Sequence, residues 1–224
     1  MAWEDLQRFR SSEVEERIHF MKGTTTVGVK FKDGVVVASD KRATSGTFVA
    51  SKSAVKTLKL TDYAVATISG LVADGQYLVS NLATLADLYS LDTGKPLSVK
   101  GLARLLVLLL RRYRPYFLLA HLIVGGVDKE GPHLFNVDLY GTMTEEDYLA
   151  TGSGSPIAIS IIEGGYSPDI DRETAIRLVI SSMIAALSRD AATGDGIDVV
   201  VIDKGGVRFL GRDEISQLIR EVGR

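Results

Sequence analysis

The chain has 224 residues, 46% of them hydrophobic and 24% charged, enough for one globular domain with a full-sized core. A formal net charge of −2 gives no reason to expect nucleic acid or an anionic membrane as a partner. The lack of cysteine excludes disulfides, thiolate metal sites and cysteine nucleophiles, and His19, His121 and His133 have no metal-ligand spacing.

The first 23 residues form a charged leader. Glu4, Asp5, Arg8, Arg10, Glu13, Glu15, Glu16, Arg17 and Lys22 leave no apolar stretch of the kind that directs secretion. A strand follows, because Val27, Val29 and Phe31 alternate with Gly28, Lys30 and Lys32. Asp33-Gly34 signals a hairpin, and residues 35–38 read as a strand buried on both faces. Two more strands are expected near 55–60 and 64–69. The period then becomes helical through Tyr77, Leu78, Leu82, Leu85, Leu88 and Tyr89.

Ser98 is the expected N-cap of a second helix that runs to about Arg112 and stops before Pro115. Its apolar run, 102–110, includes Arg104 and is too short to span a bilayer. Strands are expected at 117–127 and 133–138 across the turn Asp128-Lys129-Glu130-Gly131, and another at 146–151. A short helix over 155–164 and a longer one capped by Asp171 come next. Strands 197–203 and 207–210 then pair across Lys204-Gly205-Gly206, and a polar helix starts near Asp213. The order gives an α+β fold of two antiparallel sheets covered by helices.

Candidate chemistry begins at Gly23-Thr24. A threonine hydroxyl is a weak nucleophile without a base, but cutting the Gly23–Thr24 bond would supply one, the freed α-amine. Its unperturbed pKa of roughly 7.7–8.0 leaves a useful fraction neutral near pH 7. Asp40 lies sixteen residues on and Lys56 another sixteen. Lys56 would lower the pKa of the hydroxyl and amine, and Asp40 would hold Lys56 in place. Taken singly, a Thr-rich stretch is ordinary strand and the two charges ordinary surface. Thr151-Gly152-Ser153-Gly154-Ser155-Pro156 has the small residues of a phosphate loop but lacks its Gly-Lys-Ser/Thr ending, so a tight turn into a helix is expected there. Ser69-Gly70 sits where a strand meets a helix, and Arg189-Asp190-Ala191-Ala192-Thr193-Gly194 closes a helix at glycine.

Together, Gly23-Thr24, Asp40, Arg42, Lys56 and Ser69-Gly70 resemble the β subunits of the 20S proteasome, threonine peptidases among the N-terminal-nucleophile hydrolases. The likeness runs from Thr24 to about Gly211. It implies a four-layer αββα sandwich, a propeptide over 1–23 removed by self-cleavage, and a peptidase domain over 24–224. It assigns the oxyanion donor to the Gly70 N–H and supporting roles to Ser153, Asp190 and Thr193. Thr193 departs from the family's serine but keeps the hydroxyl, and Ala191 loses one. The primary side-chain pocket would be lined by Ala43, Thr44, Ala54, Leu58, Ile68, Val72 and Gln76, with Ile68 closing its floor. An uncharged wall favours cleavage after large apolar residues, since a buried substrate charge would be left unpaired.

The resemblance further implies no cofactor and a cytoplasmic location. The expected assembly is two stacked heptameric β rings capped by α subunits, fed with unfolded polypeptide by an AAA+ ATPase. No nucleic acid or membrane partner is expected. Two alternatives stand beside this. One is an unprocessed β subunit that only completes the ring. The other is the bacterial relative with rings of six, which the Gly-Ser-Gly-Ser-Pro and Arg-Asp-x-x-Thr-Gly passages fit less well.

Overall fold

Strand β1 (Thr25–Phe31) shows how the layers are set. Val27, Val29 and Phe31 point to one side of the sheet and meet helices, while Gly28 faces Leu134 of another sheet. The computed structural model describes residues 23–113 and 118–222. Residues 1–22 of the leader and Pro115 therefore lie outside the described residues, as does the first residue of the strand expected over 117–127.

Next come β2 (Gly34–Asp40), β3 (Ala43–Ser45), β4 (Phe48–Ser51), β5 (Thr57–Thr61) and β6 (Ala64–Gly70). Helices α1 (Val72–Thr93) and α2 (Val99–Arg112) precede β7 (Ala120–Asp128), β8 (Gly131–Val137), β9 (Met143–Glu145) and β10 (Tyr148–Gly152). The chain continues through α3 (Ser155–Gly165), α4 (Arg172–Arg189), β11 (Ile197–Asp203), β12 (Gly206–Phe209) and α5 (Arg212–Val222).

One antiparallel sheet runs β10-β1-β2-β11-β12 and the other β5-β6-β7-β8-β9, with β3-β4 as a separate hairpin. Period-two alternation gives each sheet two apolar faces. Val36, Ala38, Val199 and Val201 pack under α3, α4 and α5 with Ile162, Val179, Ile180 and Met183. Ala66, Ile68, Leu122, Val124 and Phe135 pack under α1 and α2 with Leu78, Leu82, Leu102 and Leu106. Val35, Val37, Val65, Ile123, Leu134, Val200 and Ile202 fill the space between the sheets. The layers are therefore α, β, β, α, the N-terminal-nucleophile hydrolase sandwich.

Both expected caps form. Ser98 accepts from the Gly101 N–H, and Asp171 accepts from the Glu173 and Thr174 N–H groups. The first hairpin turns at Lys32-Asp33, with Gly34 already paired to Phe31, one residue earlier than the Asp33-Gly34 signal. The sequence reading also omitted β3, β4 and β9, which are too short to show a period.

Candidate active site

Three strand ends meet at Thr24. It enters β1 and is 1% exposed, Asp40 closes β2, and Lys56 immediately precedes β5. Lys56 Nζ donates to Thr24 Oγ1 at 3.0 Å and to Asp40 Oδ1 at 2.6 Å. Asp40 also accepts backbone N–H bonds from Thr25, Arg42 and Gly194, each 3.0 Å long. Its charge is thus met by three main-chain dipoles and one ammonium. Burial pulls the Lys56 ammonium below its usual pKa, while the charge and hydrogen bond of Asp40 push the other way.

A second set closes on the other side. The Thr24 N–H donates to Ser153 Oγ at 3.3 Å, and Ser153 Oγ donates to Asp190 Oδ2 at 2.5 Å. Thr193 Oγ1 donates to the same Asp190 oxygen at 2.5 Å and shares a 2.7 Å hydrogen bond with Thr25 Oγ1. Thr193 thus links Asp190 to β1. Gly152 and Gly154 fit β10 and its turn against the start of β1. A Cβ at Gly152, where φ is +92°, would lie 2.0 Å from the Thr24 carbonyl oxygen, and one at Gly154 would lie 2.1 Å from Thr25 Oγ1. Residues 151–155 are a packing surface for the start of β1.

The Thr24 hydroxyl donates to the carbonyl of Gly23. The hydroxyl and the Gly23–Thr24 peptide bond are therefore adjacent. Space around Gly23 is tight, since a Cβ there would fall 2.0 Å from Thr44 Oγ1 and 3.6 Å from Ala192 Cβ. Gly70 has φ +96°, and a Cβ there would strike the Leu119 carbonyl at 2.4 Å, so the corner ending β6 requires glycine.

The expected pocket residues are distributed over β3 (Ala43, Thr44), the link to β5 (Ala54), β5 (Leu58), β6 (Ile68) and α1 (Val72, Gln76). Three of them donate to main-chain carbonyls at or beside Asp40 and Lys56. The Ala54 N–H donates to the Lys41 carbonyl at 2.9 Å, the Ile68 N–H to the Lys56 carbonyl at 2.8 Å, and Gln76 Nε2 to the Val55 carbonyl at 3.3 Å. The Ile68 side chain is fully buried between β6 and α1, where Gly75 leaves room for it.

Arg42 has a bracing role that its sequence position did not reveal. Its Nε donates to Asp195 Oδ2 at 2.8 Å and a terminal nitrogen to the Ala191 carbonyl at 2.8 Å. Its guanidinium lies over Gly194, where a Cβ would come within 2.3 Å. Arg42 thereby holds the loop whose Gly194 N–H supports Asp40. The Asp195 carboxylate raises the Arg42 pKa further, so the brace stays charged. Among the described residues no helix is long and apolar enough to cross a membrane, and no His, Asp and Glu cluster could hold a metal ion.

The chain is similar to known proteins over most of its length. The family described as Proteasome subunit matches residues 20–202. The "Proteasome subunit beta 1" of Korarchaeum cryptofilum is 83% identical over 204 residues, covering 91% of this chain and 99% of the relative. The "Proteasome subunit beta 2" of Nitrosopumilus maritimus is 41% identical over 209 residues, covering 93% and 99%. The "Proteasome subunit beta" of Archaeoglobus profundus is 41% identical over 215 residues, covering 95% and 98%.

Proposed function

The chain belongs to the proteasome subunit family as a β subunit of the 20S core, which assembles in rings with other proteasome subunits, and from that premise we propose that it is a catalytic threonine endopeptidase made as a precursor. One observation carries the proposal: Lys56 Nζ reaches Thr24 Oγ1 at 3.0 Å while the same hydroxyl faces the Gly23 carbonyl. A charged donor on the nucleophile and a peptide carbonyl beside it are the parts that self-cleavage and later turnover both need.

In the precursor, Thr24 Oγ adds to the Gly23 carbonyl carbon and the bond to the Thr24 nitrogen breaks. The proton ends on that nitrogen, and water hydrolyses the ester. Residues 1–23 leave as a propeptide and 24–224 remain. The new α-amine occupies the place of the Thr24 N–H beside Ser153, which Asp190 holds. In turnover the amine takes the Thr24 Oγ proton as Oγ attacks a substrate carbonyl. The Gly70 N–H receives the oxyanion, a role worth about 2.7–4 kcal/mol where such donors have been removed. The leaving peptide amine takes the proton back, and water, deprotonated by the same amine, frees the acyl group. No cofactor takes part.

The finer assembly proposed is two heptameric β rings between α rings in the cytoplasm, supplied with unfolded chains by an AAA+ ATPase. Cleavage after large apolar residues follows from the uncharged wall of Ala43, Thr44, Ala54, Leu58, Ile68, Val72 and Gln76. Burying such a side chain contributes about 1.5–3 kcal/mol.

Assembled particles, made with a proteasome α subunit, test the reading. Intact mass should show loss of residues 1–23, and a fluorogenic peptide ending in Leu or Tyr should be cleaved about tenfold faster than one ending in Arg or Glu. Full-length chain in particles without peptidase activity would instead identify a structural ring subunit. An Arg-terminated peptide as the best substrate would overturn the pocket assignment alone.

A further inference from the structure

A chain of hydroxyls crosses the sandwich behind the nucleophile. Thr26 Oγ1 on β1 shares a 2.7 Å hydrogen bond with Thr151 Oγ1 on β10, and Thr151 Oγ1 shares a 2.9 Å bond with Ser69 Oγ on β6. Ser69 Oγ also donates to the His121 carbonyl on β7 at 3.1 Å. Thr26, Thr151 and Ser69 are at most 3% exposed. The first bond lies within one sheet, and the second joins the two sheets.

Each member stands next to a working part. Thr26 is two residues from Thr24, Thr151 is two residues before Ser153, and Ser69 directly precedes Gly70. Nothing bulky separates these strand ends. Gly152 lies between the Thr24 carbonyl and Ser69, and a Cβ on it would sit 3.5 Å from Ser69 Cβ. The Gly70 corner is anchored within its own sheet by the Leu71 N–H, which donates to the Leu119 carbonyl at 2.8 Å. The nucleophile and the oxyanion corner therefore belong to different sheets, and the gap between them depends on what joins the sheets at this end.

We infer that Thr151 is a positioning residue for the peptidase reaction: its hydroxyl, shared between Thr26 and Ser69, sets the distance from Thr24 Oγ to the Gly70 N–H. The inference rests on the peptidase reading above. Thr151 touches neither substrate nor the reacting atoms. It acts by holding one sheet to the other where a tetrahedral intermediate must bridge them. Buried hydroxyls in such a chain are costly to leave unpaired, so the three hold one arrangement.

The test uses assembled, matured particles carrying Thr151→Val, which keeps the shape and removes the hydroxyl. Activity is normalised to the fraction of chains beginning at Thr24. kcat should fall about tenfold with KM unchanged, since a small misplacement of reacting groups affects the transition state rather than ground-state binding. Affinity for a peptide boronate, whose boron takes up Thr24 Oγ as a tetrahedral adduct, should fall in parallel. Affinity for the same peptide with an unreactive end should not change. Thr151→Ser should restore kcat and boronate binding.

Ser69→Ala removes the inter-sheet bond from the other strand and covers the case in which the valine variant does not fold. It should lower kcat by a similar factor. Where both variants assemble, the double variant should be little worse than either alone. Full kcat in Thr151→Val, a rise in KM alone, failure of the serine variant to restore activity, or additive losses would each overturn the inference. Wild-type particles without peptidase activity would overturn the peptidase reading and this inference with it, whereas active wild type beside a fully active Thr151→Val overturns the inference alone.

Discussion

Lys56 and Asp40 face each other at 2.6 Å with neither side chain open to water, and the lysine's second hydrogen bond goes to Thr24 Oγ1. A buried ion pair is a weak source of stability, because desolvation offsets much of the attraction. Here the carboxylate is already held by three backbone N–H groups, so the ammonium is directed at the Thr24 hydroxyl.

Removal of Lys56 separates these roles. Lys56→Ala and Lys56→Arg should each lower peptidase activity by about a hundredfold or more, the range found when a positioned electrostatic donor is lost. The arginine variant keeps the charge, but its planar guanidinium cannot occupy the compact site between Asp40 Oδ1 and Thr24 Oγ1. Breaking a buried pair typically costs about 3–5 kcal/mol, and the three N–H bonds to Asp40 should keep the alanine variant at the low end. Steady-state rates and denaturant midpoints on assembled particles check both. Near-normal activity in Lys56→Ala would remove the lysine from the mechanism.

The same residue sets a pH response. Burial lowers the folded Lys56 pKa below its ordinary 10.5, so between the folded value and 10.5 the unfolded chain holds a proton that the folded chain has released. Stability contributed at this site therefore rises with pH across that window. Activity should fall over the same window, because neutral Lys56 no longer supports the hydroxyl as a cation. Denaturant midpoints for wild type and Lys56→Met, taken alongside rates on the alkaline side, should diverge in this sense. Parallel curves for the two proteins would show that Lys56 does not titrate there.

Gly23 is the third point of test. Thr44 stands where a side chain at position 23 would go, and its β-branching limits the rotamers by which it could clear the space. Gly23→Ala should slow precursor cutting by about a hundredfold, as expected for a misplaced reacting carbonyl. Thr44→Ala in the same chain should recover most of the rate. Intact mass followed over time after assembly measures it, and an unrescued double variant would place the block elsewhere.

Ile68 has a larger structural role than a pocket floor alone would require. It is fully buried against Gly75 and joined through its backbone to Lys56. Ile68→Ala should cost about 2–5 kcal/mol by the cavity it leaves, and the preference for large apolar residues should relax with it. Unfolding midpoints and a panel of peptide substrates separate the two effects. Lost stability with unchanged preference would make Ile68 a core residue only.

Much of this site is legible in sequence because its charged parts lie at strand ends. Thr24, Asp40 and Lys56 stand at equal intervals, each at the end of a strand with a recognisable pattern; pairing of β1 with β2 brings Thr24 to Asp40, and Lys56 joins them when the two sheets stack. The bracing by Arg42 was not legible, since its partners Ala191 and Asp195 lie 149 and 153 residues away. Nor was the hydroxyl chain, for Thr26, Thr151 and Ser69 look like ordinary strand residues until two sheets are stacked. The β3-β4 hairpin was hidden by its length, three and four residues with none of them buried. Gly152 suggested a turn, but the carbonyl it must admit belongs to another part of the chain.

Three of the four groups that hold Asp40 are peptide N–H groups, and one comes from Gly194, in the loop that follows α4. Side-chain identity at Ala191 and Ala192 is therefore of little electrostatic consequence to Asp40. The spacing between Asp190 and Gly194 is of great consequence. An added or deleted residue there would carry the N–H away from the carboxylate and draw Thr193 off Asp190 in the same movement. Sequence drift in this loop is free to change chemistry at two positions, and it is not free to change count.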